Sequence, residues 1–274
     1  MLRAWQDVVG KWQLAAIGPD RNPSPASEYF ERARSALVQR RLDDALADFQ
    51  RAAELREHPH PHDQVGIGDV HLARGRWGLA GESYRSALAA DRSDPLARLG
   101  HSQLLVATGR AADAVQELEL MVASRPGDAV LRYYLASTWC SVAEQCRSQT
   151  RDEVLVITSE HQLRICDRAA RRIIDLDVDD EELARGARRL ATEVVAGRRW
   201  SWAPEGIAVS MAVLVMSLGL TMVVAGGALN SVGLVVSGVL LGGALLYLIV
   251  VRFRRPVWQH RAESLAGHIA KPGV

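Results

Sequence analysis

Lysine is nearly missing from this chain of 274 residues: of its 33 basic side chains only Lys11 and Lys271 are lysines, the rest being arginine. Together with the many alanines, that bias is expected of a high-GC bacterial genome. A charge surplus is missing as well. The 33 basic residues face 32 acidic ones, for a net charge of +1, so no basic field is available to hold a nucleic-acid backbone. Nucleic acid is not an expected partner. Cysteine is scarce: Cys140, Cys146 and Cys166 are odd in number and form no C-x-x-C pair, which argues against a disulfide framework or a zinc site. A reducing compartment fits. Arg3, Asp7 and Lys11 interrupt the first turns, so a secretory signal is not expected.

Signatures of chemistry are also lacking. The sequence contains no phosphate loop, G-x-S-x-G elbow, H-E-x-x-H pair or Rossmann fingerprint, so neither an enzyme nor a cofactor is expected. His58, His60 and His62 alternate with prolines; an extended proline-rich run points successive side chains apart, so this stretch reads as an inter-repeat linker and no metal is expected. The acidic cluster from Asp175 to Glu182 reads as a solvated helix start.

Charge vanishes altogether between Glu205 and Arg252, a run of 46 positions. That is too long for one span of about 20 residues and right for two. Gly226, Gly227, Asn230 and Ser231 supply a turn near its middle, placing transmembrane helices at about 206–227 and 232–251. Arg185, Arg188, Arg189, Arg198 and Arg199 precede the pair and Arg252, Arg254, Arg255 and Arg261 follow it, with no arginine between the spans. The positive-inside rule then puts both termini in the cytoplasm, in a multi-pass protein of the inner (cytoplasmic) membrane. Trp200, Trp202 and Trp258 are expected at the headgroup level beside Arg252, Arg254 and Arg255. Gly238 and Gly242 lie one turn apart, which suits packing on the first span or homo-oligomerisation.

What the rest of the chain does have is an internal repeat of 34 to 35 residues. Ala45, Phe49 and Ala52 recur as Ala80, Tyr84 and Ala87, then as Ala114, Leu118 and Met121. The spacing of four and three puts each triplet on one helix face. Twelve residues before each first alanine stands a small residue, Ala33, Gly68 or Ser102, and Ala136 continues the series. Arg40, Gly75 and Gly109 mark the turns between paired helices.

These residues resemble the tetratricopeptide repeat family, over about residues 26 to 146. The resemblance implies an all-α fold, a right-handed helical solenoid, here followed by the two-helix transmembrane hairpin. Arg40 departs from the turn glycine, Pro59 and Pro95 fall late, and only Pro126 stands at the usual place. The fourth unit diverges from Cys146 to Val156, where an insertion or a longer first helix is implied. Ser159 with Gln162 and Asp179 with Glu182 resemble capping boxes; Leu163, Cys166, Ala170 and Ile173 trace one face of the first helix they start, and Leu183, Ala187, Leu190, Ala191, Val194 and Val195 that of the second.

The expected organisation is therefore an N-terminal helix and linker (1–25), the array with its divergent fourth repeat and capping helix (26–197), a juxtamembrane linker (198–205), the two spans (206–251) and a cytoplasmic basic tail (252–274). In the N-terminal part Leu2, Trp5, Val8, Val9, Trp12 and Ala16 follow helical spacing; the helix either lies on the bilayer or caps the first repeat.

Family geometry implies a concave groove displaying Phe30, Arg34, Val65, Asp69, Leu99, Gln103, Tyr133 and Ser137. These do not reproduce the cationic clamp that some relatives use for chaperone tails. Apolar seats with few charges suit an amphipathic helix or extended segment of a protein partner. The function expected is a membrane-anchored scaffold or adaptor; the alternative is a structural subunit of a secretion or envelope assembly, with its spans as the interface.

Overall fold

In the computed structural model, residues 5–13, 24–202 and 205–273 are described. Leu2, Ala16, the linker up to residue 23 and the side chains of Trp5 and Trp202 lie outside the described residues. The chain divides into two compact units, Met1–Cys146 with Ile165–Arg189, and Arg147–Arg164 with Leu190–Val274.

The first unit is built from paired antiparallel helices: α2 (Pro25–Val38) with α3 (Leu42–Leu55), α4 (Pro61–Ala73) with α5 (Trp77–Ala90), and α6 (Pro95–Ala107) with α7 (Ala111–Ser124). The next helix, α8 (Ala129–Cys146), packs on α7, and α9 (Glu160–Asp175) follows it. A short helix α1 (Trp5–Gly10) runs into a single 3₁₀ turn, Lys11–Gln13.

Proline opens each of α2, α4 and α6, where its missing N–H is not needed. Ser24 and Asp94 cap two of these starts by accepting the amides of Ser27 and Ala97. His60, expected in an extended linker, instead caps α4 through the His62 amide, and His62 lies inside the helix with Nε2 2.9 Å from Asp94 Oδ2. Among the described residues no three His, Cys, Asp or Glu side chains group to hold a metal ion.

Arg40, Gly75 and Gly109 all take positive φ, at 61°, 69° and 84°. Each closes its helix with the same pair of hydrogen bonds: its own amide donates to the carbonyl of Leu37, Leu72 or Val106, and the next amide, of Arg41, Arg76 or Arg110, donates to the carbonyl of Ala36, His71 or Leu105 at 2.9, 2.9 and 2.7 Å. The left-handed step explains the glycine preference at this turn, and Arg40 makes it with a side chain attached.

The alanine and aromatic triplets are buried in full. Tyr84 is clamped between Gly68 and Gly100, and Phe49 lies over Gly66: a Cβ at Gly68 would come within 2.6 Å of the Tyr84 ring, and those at Gly66 and Gly100 closer still to Phe49 and Tyr84. Close helix approach at these glycines is thus compulsory.

Beyond α8, strands β1 (Ser148–Thr150) and β2 (Leu155–Val156) form the insertion as a hairpin. Ser159 caps α9 through the Gln162 amide, while the Gln162 side chain accepts the Thr158 amide at 2.7 Å. Leu163, Cys166, Ala170 and Ile173 are buried, and the Cys146 and Cys166 sulfurs sit 3.7 Å apart as thiols. At α10 (Glu181–Arg198) the cap is Asp180, accepting the Leu183 amide, one residue beyond the Asp179 expected. Its buried stripe is Leu183, Ala187, Leu190 and Val194; Val195 is 56% exposed because it falls one residue outside the four-and-three spacing.

The second unit contains α11 (Glu205–Ala228) and α12 (Val232–Phe253), an antiparallel hairpin turning at Asn230 (φ 49°). Within them Val209–Ala228 and Val232–Phe253 are long and apolar enough to cross a membrane. Gly219 meets Gly242 and the Gly238 carbonyl, so Gly238 and Gly242 are used for contact inside the hairpin.

The helical expectation gains two small antiparallel sheets. Strand β3 (Trp200–Trp202), just before α11, pairs with β4 (Arg254–Pro256), just after α12. The remaining chain forms α13 (Val257–Leu265) and β5 (Ile269–Lys271), which adds to β1.

Candidate functional site

The first helices α2, α4, α6 and α8 line up side by side, and the face they share is already occupied. The N-terminal segment, residues 5–13, lies against α4 and α6 and is gripped from α8. At its centre the Lys11 ammonium is 2.5 Å from Asp69 Oδ1 and donates to Gln103 Oε1 at 2.7 Å. The Trp12 indole N–H donates to Asp69 Oδ2 at 2.8 Å, and the Tyr84 hydroxyl donates to Oδ1 at 2.6 Å. Both Lys11 and Asp69 are 0% exposed, so this is a charge pair removed from water, each charge with further polar partners.

The titration of the pair reflects that burial. Loss of water pushes Asp69 above the usual carboxylate range and Lys11 below its ordinary value, in each case against the pull of the opposite charge. Tyr84, buried beside Asp69, is held well above its ordinary value. At working pH its hydroxyl is a fixed donor.

Around the ion pair the indole of Trp12 stacks on Phe49 at 6.0 Å between centroids and tilts against Phe30 at 5.9 Å. One turn back, the Asp7 carbonyl accepts from Tyr134 Oη at 2.6 Å and from Gln103 Nε2, and its carboxylate accepts from Tyr133 Oη at 2.7 Å. Asp7 lines a small recess together with Leu99, Gln103, Ser137 and Tyr134.

Of the eight groove residues named from the family pattern, Phe30, Asp69, Gln103 and Tyr133 thus converge on the N-terminal segment. Val65 and Leu99 are wholly buried, Ser137 lines the recess, and Arg34 pairs with Glu31 on its own helix. The pattern passes over Tyr134, Phe49 and Tyr84, which complete the seat. Their signal in the sequence is ambiguous, since Phe49 and Tyr84 carry the repeat signature as packing residues.

A row of two-helix units whose first helices share one face defines a helical repeat protein. Family models of the tetratricopeptide repeat match residues 30–95 and 71–137, and this chain carries tetratricopeptide repeats over that stretch. Among solved structures, a MamA RS-1 ArsTM double mutant has a TM-score of 0.44 at 17% identity, covering 63% of this chain and 94% of its own. MamA from Desulfovibrio magneticus RS-1, residue 41 to the end, has a TM-score of 0.43 at 18% identity with the same coverage. No curated protein matches the chain.

Proposed function

We propose that this protein is a membrane-anchored interaction scaffold. Its array, in the cytoplasm, takes a partner protein or peptide along Phe30, Arg34, Val65, Asp69, Leu99, Gln103, Tyr133 and Ser137, and α11 and α12 are its two membrane spans. Tetratricopeptide repeats bind proteins, and nothing in the face just described resembles a reaction centre.

The observation that carries the anchor is the exposure of the hairpin. Val213, Leu214, Met216, Leu220, Val239, Leu240 and Leu248 all lie on its outside, whereas a long apolar helix of a water-soluble core is buried. Twenty-two residues of helix are about 33 Å long, matching a hydrocarbon core of about 30 Å. The arginine flanks favour cytoplasmic ends and an outer Leu229–Ser231 turn. At the base Arg254 lies over the Trp200 ring, 5.6 Å from its centroid, where β3 pairs with β4; with Trp202, Arg252, Arg255 and Trp258 close by in sequence, the composition suits headgroups.

One feature favours the subunit reading: an apolar recess along the hairpin seam, lined by Val215, Gly219, Val239 and Gly243, offers a seat to a third helix. Gly238 and Gly242 are engaged within the hairpin, so self-association through them is not part of the proposal. Exchanging α11 and α12 for an unrelated two-span anchor separates the readings. Retained partner capture from gently solubilised membranes supports the tether, and lost capture with correct membrane targeting supports the subunit. Thiol labelling of Ser231→Cys tests topology: the reading requires reaction from outside intact cells, and labelling only after permeabilisation would overturn it.

A further inference from the structure

We propose that the face of the first helices is a receptor for a short helical peptide carrying adjacent lysine and tryptophan, and that residues 5–13 are its built-in competitor. The inference rests on the array being a partner-binding scaffold and adds what the partner must present.

Asp69 supplies the first argument. Its carboxylate is wholly buried and, among the described residues, takes donors from Lys11 and Trp12 of the N-terminal segment and from Tyr84 of the array. A buried carboxylate needs a cation and several donors to offset its lost hydration. Among the described residues the cation on Asp69 is Lys11 of the N-terminal segment rather than a side chain of the array, so the position is built for an arriving one.

The surroundings define the rest of the ligand. Gln103 Oε1 offers the ammonium a second acceptor, and Phe30 with Phe49 forms an aromatic seat for the indole. Four residues before the lysine, Tyr133, Tyr134 and the Gln103 amide converge on Asp7 through its carboxylate and carbonyl. The recognition pattern is therefore Asp-x-x-x-Lys-Trp.

Occupancy in cis follows from the connection. Residue 13 joins residue 24 through ten residues, so docking of the segment is intramolecular and has the advantage of a tethered ligand. A partner peptide must displace it, and the apparent affinity falls by the fraction of time the face is closed. A partner confined to the same membrane shares the concentration advantage. A free peptide does not.

The test uses the full chain in detergent micelles and, as probe, a fluorescent peptide with the sequence of residues 1–13, read by anisotropy. Lys11→Ala/Trp12→Ala releases the resident segment and should bind the probe about tenfold more tightly than the unaltered chain. Adding Asp69→Asn should remove the gain. Equal binding to both chains, or none to a double variant of unchanged helix content and melting, overturns the proposal. Should that variant unfold, the unaltered chain decides: excess probe should speed amide exchange at Val8–Trp12, and unchanged exchange overturns it. Dimers of the unaltered chain that vanish on adding the probe would place the segment in a second copy and overturn the competitor role. A chain that captures a partner at the membrane but never binds the probe sinks this inference while leaving the scaffold intact.

Discussion

Lys11 and Asp69 meet at 2.5 Å with neither side chain exposed, across 58 residues of sequence. A pair of that kind is a poor source of net stability and a strong source of specificity, because either charge alone is far worse than both or neither. Lys11→Met leaves a buried carboxylate, and Asp69→Asn leaves a buried ammonium. Each single variant should weaken docking of the segment by about 3 kcal/mol or release it outright. The double variant removes both charges, but Tyr84 and Trp12 donate to different carboxylate oxygens and the single asparagine oxygen keeps only one of them, so it should recover part of the loss. Amide exchange at Val8–Trp12 measures all three; additive effects would show that the pair is not coupled.

Glycine has opposite meanings at two places in the array. At Gly100 an added methyl would enter the Tyr84 ring, and Gly100→Ala should lower stability by about 1–3 kcal/mol through overpacking. Gly186 lies mid-helix in α10 with open space around it, so Gly186→Ala should raise stability by about 0.5–1 kcal/mol. Denaturant midpoints of the two variants should move in opposite directions.

Acid should loosen the contact between α7 and α9. Arg172 forms a two-point pair with Glu119, at 2.9 and 2.6 Å, and Trp139 Nε1 adds a donor at 3.2 Å. Chiefly through the Arg172 bond, Glu119 is held below its ordinary value of 4.5. A depressed carboxylate pKa makes the unfolded chain the better proton binder, so this stability is present above about pH 4.5 and is lost as pH falls through the folded value. Arg172→Gln should flatten that acid limb of the stability curve. An unchanged limb would remove Glu119 from its causes.

The sequence reveals those parts of the fold that repeat or that need one solvent. Ala80, Tyr84 and Ala87 announce a packed face because their spacing is local, and the run after Glu205 announces two long apolar helices because no charge interrupts it. What fills the groove is not local. Tyr133 reaches Asp7 over 126 residues, and no periodicity encodes such a meeting. Asp69 was therefore expected as a groove charge and is found as the buried end of an ion pair. A hint was present: one lysine in an amphipathic stretch, in a chain whose only other lysine is Lys271, standing against one acidic groove position. The sheets were illegible for a different reason. Strands of three residues such as Ser148–Thr150 and Ile269–Lys271 carry too few side chains to show alternation.

The seat of Trp12 separates the structure described from a helix lying on the bilayer. Replacing Trp12 by a photoreactive diazirine analogue of tryptophan that keeps the indole N–H to Asp69 in the full chain, followed by irradiation in native membranes and mass-spectrometric mapping, reads that seat directly. The account predicts crosslinks within one chain to the Phe30 and Phe49 regions of α2 and α3. Adducts confined to lipid, or links only to other positions, would contradict it.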